Sequence, residues 1–174
     1  MLTLQGKHMY LRALEPEDLD FIYTIENDES IWELSSTQTP YSRYLIKQYL
    51  ENAHKDIYEV KQLRLVIANE NHESIGLIDL FDCDFKNKRA GIGILIYSTS
   101  DRQQGYGNEA LKLLMSYAKT HLDLHQLFCN ISEDNIMSLN LFESNGFIKI
   151  GLKKDWNYVN DSYKNEYLLQ RILN

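Results

Sequence analysis

Arg102, Gln103, Gln104, Gly105, Tyr106, Gly107 and Asn108 form the stretch of this chain best suited to holding an anion. An apolar run from Ala90 to Tyr97 precedes them and reads as a buried strand, while Ala110, Leu111, Leu114, Met115 and Ala118 follow at helical spacing. The turn therefore lies between a strand and a helix N-terminus, where the first N–H groups have no intrahelical partner and carry the positive end of the dipole. Two glycines let a diphosphate approach the backbone closely, and Arg102 adds a charged fork at the rim. No Gly-Lys-Ser/Thr follows, so this is not the lysine-bearing nucleotide loop. It also lacks the three widely spaced glycines of the dinucleotide fingerprint. Taken alone, the same residues fit a turn that only caps a helix.

A second stretch, from Asn135 to Phe147, reads as a short helix closed by Gly146 and followed by a strand. Together the two stretches resemble the acetyl-CoA-dependent GNAT acetyltransferases. The first matches their Arg/Gln-x-x-Gly-x-Gly/Ala pyrophosphate loop, and the second their Asn-x-x-Ala/Ser-x-x-Leu-Tyr-x-x-x-Gly-Phe segment. The resemblance covers nearly the whole chain and is closest to the branch of ribosomal-protein N-terminal acetyltransferases and spermidine N-acetyltransferases. The run Leu11-Arg12-Ala13-Leu14-Glu15-Pro16-Glu17-Asp18 is similar to the opening of that branch.

The resemblance implies transfer of acetyl from acetyl-CoA to a primary amine by direct attack in a ternary complex. The acceptor would be a small amine, a polyamine or a protein N-terminus. Main-chain groups around Ile94, Leu95 and Ile96, where central strands splay, would hold the pantetheine arm and the carbonyl. Arg102 through Asn108 would take the pyrophosphate, with Asn135 and Ser138 binding from the other side. The family usually places a proton-donating Tyr after the Leu of its second motif. Here Leu141 is followed by Phe142, which cannot donate. Ser138, one helical turn earlier on the same face, is the substitute catalytic candidate, and Tyr158 and Tyr163 are further ones. The missing tyrosine keeps open a second reading, a non-catalytic acyl-CoA-binding module.

An alkylamine with a pKa of about 10.4 arrives mostly charged at neutral pH, so the acceptor side needs a carboxylate to attract it and to take its proton. Asp79, Asp82 and Asp84 alternate along one strand with Leu80 and Cys83. Asp79 resembles an acidic position of spermidine acetyltransferases and is the candidate base. Those enzymes carry another acid early in the next strand, near which this chain has Gly91. In the family, the loop corresponding to residues 27–42 covers the acceptor. Glu26, Trp32 and Glu33 beside and within it are therefore expected to bind substrate together with Asp79.

The elements that must position these groups follow from periodicity. A strand or strand pair spans Leu2 to Leu14, a helix Leu19 to Glu26, a polar irregular segment Asn27 to Ser42, and a second helix Arg43 to His54. Leu63 to Ala68 and Ser74 to Phe85 pair about a turn at Asn69 to His72. After the strand at 90–97, the helix at 105–121 and the strand at 126–131, Phe147 to Ile150 and Tyr163 to Leu173 form a final hairpin. This order predicts one α+β domain over 1–174. The resemblance makes it a mixed, mostly antiparallel sheet with helices on its flanks and splayed central strands.

Composition narrows the classes further. The 174 residues carry a net charge of −7, which argues against a broad nucleic-acid footprint and suits a cationic substrate. No apolar run has membrane-spanning length and no export signal opens the chain, so a cytoplasmic location without membrane contact is expected. Cys83 and Cys129 lack metal-type spacing, and among the five histidines only His121 and His125 are closely spaced, so no metal is expected. The resemblance also allows a homodimer.

Overall fold

The computed structural model describes residues 4–174, so the expected start of the first strand at Leu2 and Thr3 lies outside the described residues. The first strand, β1 (Met9–Ala13), leads through a 3-10 turn at Pro16–Asp18 into α1 (Leu19–Glu26). Pro16 opens that turn, where a missing N–H costs nothing. Buried Asp18 fixes the junction: its two carboxylate oxygens accept from Arg12 at 2.7 and 2.8 Å.

Residues 27–42, read as irregular, contain a helix, α2 (Glu29–Ser35). Asp28 caps it by accepting from the Ser30 N–H, and Ile31 is its buried residue. The next helix, α3 (Arg43–Glu51), ends three residues earlier than expected, and a single-turn helix, α4 (Ile57–Val60), follows it. Ile22, Ile25, Ile31, Ile46 and Leu50 bring α1, α2 and α3 together over Val66 and Leu77 of the sheet.

The sheet begins with β1 against β2 (Leu63–Asn69), which pairs with β3 (Ser74–Asp84), which in turn pairs with β4 (Arg89–Ile96), all antiparallel. After α5 (Tyr106–Leu122) comes β5 (Gln126–Ser132), then α6 (Ile136–Ser144), β6 (Ile148–Val159) and β7 (Ser162–Ile172). Among the described residues seven strands run in the order β1-β2-β3-β4-β5-β7-β6. The larger core packs α5 through Ala110, Leu111, Leu114 and Ala118, and α6 through Leu139 and Phe142, onto Ile78, Leu80, Ile92, Leu127 and Leu169.

One junction differs from the rest. β4 and β5 are parallel and pair only at Arg89, Ala90 and Gly91, opposite Gln126, Leu127 and Phe128. Beyond Gly91 the two strands part, and β5 continues with β7 alone. This is the expected splay.

The last hairpin corrects the sequence reading. Its first strand continues to Val159 rather than stopping at Ile150, with register shifts between Lys149 and Gly151 and between Lys153 and Asn157.

Candidate active site

A groove of about 610 Å³ opens at the splay. One wall is the end of β4, from Ile94 to Ile96; another is the loop and first turn of α5; a third is the face of α6 that carries Met137, Ser138, Asn140, Leu141 and Ser144. Leu34 of α2 reaches its edge.

The loop leaves room for an anion at the start of α5. Gly105 is left-handed at φ +87°, with open space where a Cβ would stand, and as N-cap it offers no side chain to the first N–H groups of α5. Gln103 is also left-handed at φ 61°. Those free donors, at the positive end of a helix of 17 residues, fit a diphosphate. Gly107 adds clearance: a Cβ there would sit 3.4 Å from Leu141 across the groove.

Of the residues expected at this cradle, Arg102, Gln103, Gly105, Gly107 and Asn108 line the groove. Gln104 and Tyr106 do not; Gln104 is exposed and Tyr106 packs on the core. The Arg102 guanidinium donates to the carbonyls of Ile96 and Tyr97 at 3.0 and 3.2 Å, so it ties the loop to the end of β4. Asn135 caps α6 by accepting from the Ser138 N–H at 3.2 Å, and both residues face the groove. Met137, Asn140, Leu141 and Ser144 were not expected there. Their i, i+3, i+4, i+7 spacing on a short helix is the signal that marks one exposed stripe.

Two of the candidate carboxylates, Asp79 and Glu26, lie about Arg64. Asp79 of β3 lies opposite Arg64 of β2 and Gly93 of β4 in register. A Cβ at Gly93 would stand 3.1 Å from Asp79 Oδ1, so the carboxylate rests over β4 two residues past the point where β4 and β5 separate. Arg64 donates to Glu26 Oε1 at 2.9 Å and lies over the Tyr49 ring, 5.8 Å from its centroid. Among the described residues Asp79 has no ion pair within 4.0 Å and no side-chain hydrogen bond. Burial pushes its carboxyl above the usual carboxylate range, against the pull of Arg64, and Glu26 adds to the push.

The other acceptor-side candidates are engaged elsewhere. Glu26 is held by Arg64. Trp32 donates its indole N–H to the Glu26 carbonyl at 2.9 Å, which fastens α2 to α1. Glu33 binds Lys164 of β7 at 2.6 Å, and that lysine also reaches Asp134 at 2.8 Å. Phe142 is 3% exposed and meets Phe147 edge to face at 5.0 Å; it faces the core, not the groove. Tyr158 and Tyr163 pack on one another at the exposed tip of the last hairpin.

A helix N-terminus with free N–H donors, a strand fork and a carboxylate over that fork are parts that thioester-to-amine transfer can use. The family model of the acetyltransferase (GNAT) domain matches residues 8–148. The chain belongs to the GNAT family. Spermidine N(1)-acetyltransferase of Vibrio cholerae serotype O1 is 27% identical over 168 residues, 95% of each protein. The crystal structure of spermidine N-acetyltransferase from Vibrio cholerae in complex with CoA and spermine superposes with a TM-score of 0.86 at 22% identity, covering 97% of both chains. A dodecameric structure of spermidine N-acetyltransferase from the same organism superposes at 0.80, with 24% identity over 97% of this chain and 95% of the other. As a GNAT acetyltransferase, this chain moves acetyl from acetyl-CoA to an amine.

Proposed function

We propose that the acceptor is the primary amine of a polyamine or a related alkyl amine, and that residues 1–174 form one catalytic domain. The observation that carries this is Asp79: a half-buried carboxylate with no ion pair or side-chain hydrogen bond among the described residues, held over the fork between β4 and β5. A carboxyl raised by burial is a better proton acceptor than a surface one. It also gives a cationic amine a place to dock. The spermidine acetyltransferases among the relatives support the same class of acceptor. An N-terminal α-amine, with a pKa of about 7.7–8.0, is partly neutral already and has less need of such a base.

Bound acetyl-CoA supplies an acetyl thioester as the electrophile. Gly105, Gly107 and the first N–H groups of α5 would hold its diphosphate, with Asn108 and the Asn135–Ser138 turn on either side. Main-chain groups of Ile94 to Ile96 on the edge of β4 that faces away from β3, where β5 no longer pairs, would orient the thioester arm. Asp79 takes the proton that the amine nitrogen loses, directly or through one water. Ser138 offers the hydroxyl on the α6 wall that can return a proton to the departing sulfur.

Release of CoA thiol from acetyl-CoA across spermidine, diamines, amino acids, aminoglycosides and short peptides tests this function. Release with alkyl amines that is lost in Asp79→Asn is expected. Release with peptides alone would move the acceptor to protein N-termini, and binding of acetyl-CoA without release to any amine would leave a non-catalytic binder.

The two buried free thiols, Cys83 and Cys129, support a reducing, cytoplasmic setting. Exposed Ile148, Ile150 and Trp156 on the edge strand β6 support self-association, at least as a dimer.

A further inference from the structure

The fork carries an aromatic pair that the reaction does not use. Gly91 makes the last pair between β4 and β5, opposite Phe128, and on its other side it faces Phe81 of β3. The Phe81 and Phe128 rings meet edge to face across Gly91, with centroids 5.8 Å apart and planes at 83°. A Cβ at Gly91 would run into the Phe81 ring, so the ring fills the room a side chain at 91 would need. Both phenylalanines are half-buried, and neither belongs to the two cores described above. Phe81 is also the last residue of β3 in regular register before the strand bulges.

The position of the pair gives it a task. Asp79 lies two residues from Phe81 on the same face of β3, because alternate residues of a strand share a face. An amine whose nitrogen reaches Asp79 over Gly93, and whose chain follows β4 toward Gly91, would lay its neighbouring atoms onto these rings. A second ammonium placed there meets no carboxylate at position 91. A run of methylenes meets two apolar rings.

We propose that Phe81 and Phe128 form an apolar subsite that takes the carbon chain of the acceptor next to its reacting nitrogen. The subsite narrows the acceptor class proposed above: it selects alkyl amines and diamines whose next charge is far away, or absent, over short diamines and over polyamines whose charges stand three or four carbons apart. This inference rests on the reading of Asp79 as the acceptor-side base.

The test uses the full chain and a series of α,ω-diamines from three to eight carbons, with hexylamine as the chain lacking a second charge. Two quantities are read: kcat/KM for CoA-thiol release, and calorimetric affinity of the same amines for the protein saturated with CoA. Wild type should gain at least tenfold in both from three carbons to six or more, with hexylamine grouped with the long diamines. Phe81→Ala and Phe128→Ala should each flatten the series. Phe81→Leu, which keeps an apolar filler against unfolding, should retain part of it. The double variant Gly91→Glu/Phe81→Ala should move the preference toward the short diamines. A flat series in wild type, or a steep one unchanged in the phenylalanine variants, overturns the proposal. A steep series in affinity without thiol release would uphold the subsite and overturn acetyl transfer to these amines.

Discussion

Asn145, the residue after α6, donates its amide to Asn108 Oδ1 at 2.9 Å and so joins the end of α6 to the first turn of α5. The same amide reaches the Leu141 carbonyl at 2.8 Å, and the Asn145 carbonyl accepts from Arg171 of β7. Asn145 is 5% exposed, so its bonds form away from water. Two of the groove walls are thus held at a fixed separation by one side chain.

Asn145→Ala should therefore act on both stability and binding. Losing a buried donor that serves two acceptors costs about 1–3 kcal/mol, which thermal unfolding will report. Acetyl-CoA affinity should fall about threefold to tenfold. A stable variant with unchanged affinity would show that the α5 and α6 walls keep their spacing without it.

Gly105→Val and Gly107→Val should each weaken acetyl-CoA at least tenfold, about 1.4 kcal/mol, but for different reasons. At Gly105 nothing lies within 4 Å of a new Cβ, so the cost comes from the left-handed backbone at φ +87°. At Gly107 the backbone tolerates a side chain, which instead narrows the gap to Leu141. Titration of each folded variant with acetyl-CoA separates these from a wrongly assigned cradle, which would leave both affinities intact.

Asp79 sets a pH dependence with a definite sign. Its carboxyl titrates above the usual range, so the acid limb of kcat/KM should lie higher than an ordinary aspartate would place it, and Asp79→Asn should abolish that limb with most of the activity. Stability should move the opposite way. A carboxyl whose folded pKa is raised binds its proton more tightly when folded, so it stabilises below the unfolded value, and that contribution is lost as pH rises through the folded value. Asp79→Asn should accordingly melt higher than wild type at neutral pH, with the gap closing in acid. A lower melting temperature at neutral pH would mean that the Arg64 attraction outweighs burial.

Ser138→Ala and Phe142→Tyr test proton delivery as a pair. Ser138→Ala should cut kcat at least tenfold, about 1.4 kcal/mol in barrier, with acetyl-CoA affinity changed little. Phe142→Tyr should not raise kcat, because the ring lies in the core against Phe147 and a hydroxyl there is buried rather than delivered to the groove. A faster Tyr variant would show that this position reaches the leaving sulfur after all.

The turn between β4 and α5 was legible in the sequence because its signals are local: a strand run, two glycines and the 3.6 period of α5 follow each other without a break. The fork was legible only through the resemblance, since no local pattern announces that β4 leaves β5 after Gly91. α2 escaped notice because its one buried residue, Ile31, leaves no periodic stripe, although Asp28 is a fair capping signal. β6 was cut short because it is largely exposed on both faces and twice shifts register; its strand state comes from pairing with β7, not from alternation. The partners of Glu26 and Glu33 lie 38 and 131 residues away in the chain, and no spacing rule reaches that far.

The three residue pairs between β4 and β5 also bear on how the enzyme comes into being. Strands β1 to β4 are complete by Ile96, whereas β5, β6 and β7 all emerge after α5. The first half holds Asp79 and one prong of the fork, β4; the second supplies the other prong, β5, with the hairpin of β6 and β7. Neither half contains the fork. It exists only where the two are clasped at Gly91 and Phe128, so a chain that stops before β5 has no fork and no site between its prongs.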